Sequence, residues 1–133
     1  LLIMTNDGDL IHALTHPRFQ IKKVYQARID KKVPHEDQLE MVHDGVISKG
    51  QRLHLGAIRG MKNNIEKNEY WYEIDLYEGK NRQIRRIFEV KGYKVLRLKR
   101  IQFSVVKLGS LKRGGWRSLS LNEIAALKSK GYN

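Results

Sequence analysis

Glu78-Gly79-Lys80-Asn81-Arg82-Gln83-Ile84-Arg85-Arg86 is the stretch on which the fold turns. Ahead of it, residues 69–77 alternate clearly, with Tyr70, Tyr72, Ile74 and Leu76 on one side, which predicts a strand. Gly79 breaks that strand. Asn81 reads as the cap of a helix over residues 82–91, with Ile84, Ile87 and Phe88 as its buried stripe and Gly92 closing it. Arg82, Arg85, Arg86 and Glu89 point elsewhere. A helix start that gathers amide donors, guanidinium groups and backbone N–H groups suits a phosphate or a buried carboxylate. The plain alternative is an amphipathic helix with a basic outer face. Against that, four cations around one helix start repel each other unless an anion sits among them.

Working outward, residues 1–5 form a short apolar run that reads as a buried strand, and Asn6-Asp7-Gly8 as a turn. Asp9 is placed to cap a short helix ending before His16-Pro17. Residues 22–29 read as a strand, with Tyr25, Ala27 and Ile29 on one face and Gln26 and Arg28 on the other. Pro34 opens a helix that ends near His43, with Gly45 following. Residues 52–58 read as one strand and residues 60–67 as a polar loop. Residues 94–108 are extended, with a change of phase around Lys99-Arg100 that calls for a bulge. Ser120 and Glu123 make a capping box for a last helix through about Lys128. Helices and strands interspersed in this way predict one α+β domain over residues 1–133, a mixed, mainly antiparallel sheet flanked by helices.

The chain has 133 residues and a net charge of +12. Residues 78–117 hold 13 basic and two acidic residues, so this one stretch carries a net +11. The basic residues there alternate with Ile, Leu, Phe and Val, so they belong to folded elements. An ordered basic face of this density predicts phosphate contacts, and nucleic acid as partner. The opening apolar run is far too short to span a bilayer, which takes ~20 residues. Without cysteine there is no disulfide, thiolate zinc site or cysteine nucleophile. His12 and His16 are four apart, but Ala13 stands where a metalloprotease helix needs glutamate. Asn6-Asp7-Gly8-Asp9 lacks the spaced ligands of a calcium loop. No nucleotide-binding glycine motif and no G-x-S-x-G elbow is present. Neither metal nor organic cofactor is expected. Lys23-Val24-Tyr25 remains as a second constellation, although a tyrosine on an apolar strand face is ordinarily a core aromatic.

Taken in order, these segments resemble the catalytic domain of the bacterial rRNA pseudouridine synthases, the family related to the small-subunit uridine modifier. Residues 1–8 look like its G-L-L-L-L-T-N-D-G segment after the first glycine, continued by Asp9-Leu10 and Thr15-His16-Pro17. Lys23-Val24-Tyr25 is similar to its K-x-Y strand. Residues 78–86 resemble the signature E-G-x-N-R-Q-[IV]-R-R, followed by Gly92 and the L-x-R of Leu98 to Arg100. Gly115-Trp116-Arg117 with Leu119 resembles the closing G-x-W-R-x-L. The N-R-Q wording is closest to the large-subunit, 23S rRNA modifiers.

The resemblance implies a cytoplasmic, monomeric isomerase that flips a uridine out of folded rRNA, breaks its glycosidic bond and rejoins the uracil through carbon 5. By position, Tyr25 would pack against the flipped base, and Arg85 would pair with the catalytic aspartate and keep it ionised. Lys23, Arg82, Arg86, Arg97 and Arg100, with Asn81 and Gln83, would contact RNA, the cations on its backbone. The family's aspartate lies in a G-R-L-D motif five residues ahead of the position of Leu1. Asp7 and Asp9 align with the turn after that strand and do not replace it. The 133 residues as written also lack the family's small N-terminal RNA-binding domain, and alone they are expected not to isomerise uridine. The competing expectation is a non-catalytic RNA-binding domain, such as a ribosome-assembly factor.

Overall fold

The computed structural model describes residues 1–131, with side chains through Ser129. Its centre is β1 (Lys23–Ile29), paired antiparallel with β5 (Tyr70–Leu76) on one side and β6 (Val95–Phe103) on the other. Strand β4 (Ala57–Gly60) extends the sheet beyond β5, and β7 (Val106–Lys107) beyond β6, giving the order β4-β5-β1-β6-β7. All strand pairings among the described residues are antiparallel. Tyr25 stands opposite Ile74 and Arg100, and Ala27 opposite Tyr72 and Leu98. The bulge expected near Lys99-Arg100 is present, since pairing skips Ile101. A second irregularity skips Leu96.

Helices α2 (His35–Val42) and α3 (Gln83–Val90) and a hairpin of β2 (Val46–Ser48) and β3 (Gln51–Leu53) build the larger apolar cluster on this sheet. Ile84, Ile87 and Phe88 of α3 pack with Ala27, Ile29, Ile74, Met41 and Leu53, all nearly or fully buried. Alternation along β1 and β5 and the 3.6-residue stripe of α3 put those side chains on facing surfaces. Helices α1 (Gly8–Thr15) and α4 (Leu121–Gly131) form a smaller cluster of Leu10, Leu14, Ile21, Phe103, Val106 and Leu127. Ser120 and Glu123 cap α4 reciprocally: Glu123 N donates to Ser120 Oγ at 3.1 Å and Ser120 N to Glu123 Oε1 at 2.9 Å.

Four local expectations need correction. Residues 1–5 are not a strand; Leu1 and Ile3 pack on the smaller cluster, while Leu2 and Met4 are exposed. Asp7, not Asp9, caps α1, its carboxylate accepting from Leu10 N at 3.1 Å. Residues 52–58 are divided between β3 and β4. Between them Leu55 N donates to Met41 O at 2.9 Å, and Gly56 lies so close to Tyr77 and Asp75 O that a Cβ would clash. Lys49 at φ +51° and Gly50 at φ +76° form the tight turn that reverses β2 into β3. Finally, Asn81 does not cap α3. Arg82 occupies that position in the left-handed region, φ +52°, without a side-chain cap bond.

Candidate active site

One face of the sheet carries both clusters, and a polar seam divides them. Along β6, Val95 and Leu98 belong to the larger cluster and Phe103 to the smaller one, with Arg100 between. Along β1 and the residue pair before it, Tyr25, Ala27 and Ile29 pack on the larger cluster and Ile21 on the smaller, with Lys23 between. The register brings these positions together, since Arg100 is opposite Tyr25 and Phe103 opposite Lys23. The Phe103 ring serves both cations: Lys23 Nζ lies 5.9 Å and Arg100 Cζ 5.2 Å from its centroid.

The electrostatics of the seam are unbalanced. Burial pushes the Lys23 ammonium below its ordinary pKa, and repulsion from Arg100 lowers it further against the pull of Glu78. Arg100 donates only to a neutral acceptor, Leu1 O, through Nε at 3.2 Å and a terminal nitrogen at 2.8 Å. Arg85, half-buried on α3, donates to Val95 O at 2.9 Å. Among the described residues, no carboxylate lies within ion-pair distance of Lys23, Arg85 or Arg100. Lys23 and Arg100, partly dehydrated and without an ion-pair partner among the described residues, favour an incoming anion, whether carboxylate or phosphate. Beside the seam opens a cavity of about 160 Å³, lined by Lys23, Glu78, Gly79, Lys80, His16 and Tyr77 among others. At roughly 30 Å³ per water, it holds a polar group larger than one solvent molecule.

The signature segment shapes this region and uses up part of its own polarity. Gln83 is buried. Its Oε1 accepts from Lys80 N at 3.1 Å, and its Nε2 donates to His54 O and Glu78 Oε1, both at 2.9 Å. It braces the turn, and both of its amide donors are taken by protein acceptors. Arg86 likewise donates to Ser48 Oγ, Ser48 O, Gln51 Oε1 and Asn81 O, tying α3 to the β2–β3 hairpin. Four of its N–H donors are engaged in that tie. Arg82 and Asn81 are exposed at the helix start, where the left-handed backbone of Arg82 costs about 1–3 kcal/mol, strain of the kind that gathers at functional sites.

Two more residues of the expected site lie away from the seam. Arg97 stands opposite Arg28, on the reverse face of the sheet from Tyr25 and Arg100, so it does not join the seam. Arg85 is bonded at Val95, which faces Ile29, four positions along β1 from Tyr25; no direct bond links the two. Sequence reasoning missed the Arg59–Asp75 pair. Arg59 donates to both oxygens of the buried Asp75 at 2.7 and 3.1 Å, and Lys22 lies 3.7 Å away. The lone acid in the otherwise apolar run Ile74-Asp75-Leu76 was the available signal. His12 and His16 have their rings 5.2 Å apart, and His16 Nδ1 accepts from Arg18 N at 3.2 Å.

The family model described as RNA pseudouridylate synthase matches residues 1–90. An uncharacterized RNA pseudouridine synthase of Rickettsia typhi is 36% identical over 99% of this chain and 54% of its own length. The ribosomal large subunit pseudouridine synthase B of Bacillus subtilis is 30% identical over 97% of this chain and 52% of its own. A crystal structure of a pseudouridylate synthase superposes with a TM-score of 0.77 at 26% identity, covering 92% of this chain and 52% of that one. This chain belongs to the RNA pseudouridylate synthase family. It spans about half the length of the curated relatives it matches.

Proposed function

We propose that the protein containing this chain isomerises uridine to pseudouridine in ribosomal RNA, and that residues 1–133 are part of its catalytic domain. The observation that carries this reading is the seam: Lys23, Arg100 and Tyr25 on adjacent strands, with cations that lack a counter-charge. Such a site suits a reaction that needs one aimed carboxylate and an RNA phosphate in the same cleft. The carboxylate we assign is the aspartate of a G-R-L-D segment ahead of Leu1, kept ionised by Arg85 or its neighbours. Arg85 would leave Val95 O to meet it. Tyr25 would stack on the extruded base, and Lys23, Arg82 and Arg100 would hold the backbone around it. Large-subunit rRNA as the substrate, a cytoplasmic location and a monomeric state belong to the same proposal. The B. subtilis relative, a ribosomal large subunit pseudouridine synthase by name, supports the first.

Release of tritium from rRNA labelled at carbon 5 of uridine tests the reading with the whole protein. Label should be released, and Asp→Asn in the upstream G-R-L-D should abolish release while RNA still binds. Release that survives this substitution contradicts the mechanism. RNA binding without any release by the unaltered protein favours a non-catalytic assembly factor.

A further inference from the structure

The G-x-W-R segment takes no part in the seam, yet it carries the most exposed large aromatic among the described residues. Trp116 is 85% exposed, although tryptophan is among the more buried residue types on average. It lies on the wall of a basin of about 610 Å³ formed by the loop between β7 and α4. Lys107, Lys112 and Arg117 also line that basin, and no acidic side chain does. The loop is built to present the indole. Gly115 N donates to Lys112 O at 2.8 Å, and Gly114 takes φ +80°. At Gly115 a Cβ would sit 2.9 Å from Lys112 O, so only glycine allows the tight turn.

Arg117 is not free to bind: its two terminal nitrogens hold Glu123 at 2.8 and 2.9 Å, anchoring the loop to the first turn of α4. The lysines are different. Lys107 and Lys112 are exposed and, among the described residues, have no ion-pair partner. The basin adjoins the seam through the sheet, because Val106 of β7 faces Phe103, the ring shared by Lys23 and Arg100.

An exposed indole beside unpaired cations in an acid-free concavity matches the chemistry of a single-stranded nucleic acid: a π-face for the base and ammonium groups for the phosphates. We propose that Trp116 is a stacking platform for one unpaired nucleotide of the substrate RNA, flanking the residue held at the seam, with Lys107 and Lys112 on its phosphates. The proposal rests on the reading of the chain as part of an RNA-acting enzyme and adds a second contact outside its reaction centre.

The test uses the whole protein and a short fluorescein-labelled oligouridylate, with affinity read by anisotropy across a salt series. Trp116→Ala should weaken binding about fivefold or more, as expected for removing one base–aromatic stack. Trp116→Phe should restore most of it. Replacing both Lys107 and Lys112 by Gln should flatten the salt dependence by about 0.7 for each phosphate no longer neutralised. In the RNA-free protein, iodide should quench an emission component that Trp116→Phe removes, and oligouridylate should protect it. Unchanged affinity in Trp116→Ala overturns the proposal, as does a Phe variant as weak as Ala. So does an indole that iodide does not reach before RNA is added, which would mean that another part of the protein covers it. Tritium release by the same preparations separates the two claims. Full release with Trp116-independent binding sinks the platform alone, whereas Trp116-dependent binding without release by the unaltered protein sinks the enzyme alone.

Discussion

The two apolar clusters on the sheet's working face divide the molecule unequally. Among the described residues, the larger has 15 buried residues drawn from the sheet, two helices and a hairpin; the smaller has six, from α1, α4 and the end of the sheet. Around the larger cluster, polar side chains of the signature turn inward: Gln83 braces the turn and Arg86 ties α3 to β2–β3. Around the smaller one, cations and an aromatic are left facing solvent in the loop that holds Trp116. One half is therefore a thick packed wall, the other a thinner support for the Trp116 loop. Lys23 and Arg100 stand where the two halves meet, and the asymmetry gives that seam one firm side.

If so, the halves should differ in what a core deletion costs. Phe88→Ala, at a fully buried position of the larger cluster, should destabilise by about 3–5 kcal/mol in denaturant unfolding. Leu127→Ala in the smaller cluster should cost less, about 2–3 kcal/mol, because fewer neighbours frame its cavity and they can close on it. Equal losses, or the reverse order, would break the comparison.

Arg86 sharpens it next. As a phosphate contact, Arg86→Ala would lower RNA affinity and leave the fold intact. As the hairpin tie, it should cost about 1–3 kcal/mol of stability, since Ser48 and Gln51 lose charged donors. The salt dependence of RNA binding should hardly move. A change in the salt slope without a change in stability would return Arg86 to the RNA.

The buried pair on the reverse face predicts a smaller, pH-dependent effect. Burial works to raise the Asp75 pKa, but hydrogen bonds and charge from Arg59, helped by Lys22, outweigh it and hold the carboxyl below its ordinary value. Between the lowered value and the ordinary one, near 4, the unfolded chain binds more protons than the native one. Stability from this pair is thus complete above the ordinary carboxylate pKa and is lost as acid takes the pH down through the native one. Arg59→Ala should cost about 1 kcal/mol at neutral pH, because Arg59 is half exposed, and progressively less on acidification. A gap that widens in acid would contradict this account.

How far the sequence foretold the molecule depended on the length of each pattern. β1, β5 and α3 were legible because seven or more consecutive residues kept one period, and glycines marked the end of β5 and both sides of α3. The β2–β3 hairpin was not, since three-residue strands carry too little alternation and its turn uses Lys49-Gly50 rather than Asn-Gly. Residues 1–5 look like a buried run, but only alternate side chains meet the smaller cluster. At the site, the family resemblance, carried over by position, pointed to Lys23, Tyr25, Arg85 and Arg100. It did not tell which cations the fold would use itself. Arg86 and Gln83 are claimed by partners about 30 to 40 residues away in the chain, and the irregularity at Leu96 precedes Arg97 on the reverse face. Such pairings exist only once the sheet is assembled.

The most direct test of the seam as the reaction centre is a single-turnover measurement of tritium release by the whole protein carrying Tyr25→Phe or Arg85→Ala, with RNA affinity measured beside it. The account predicts that both substitutions slow release by well over tenfold while affinity changes only a few-fold, because these groups act on the reacting base and its carboxylate rather than on the backbone. Wild-type rates in both variants would contradict it and move the chemistry away from β1 and α3.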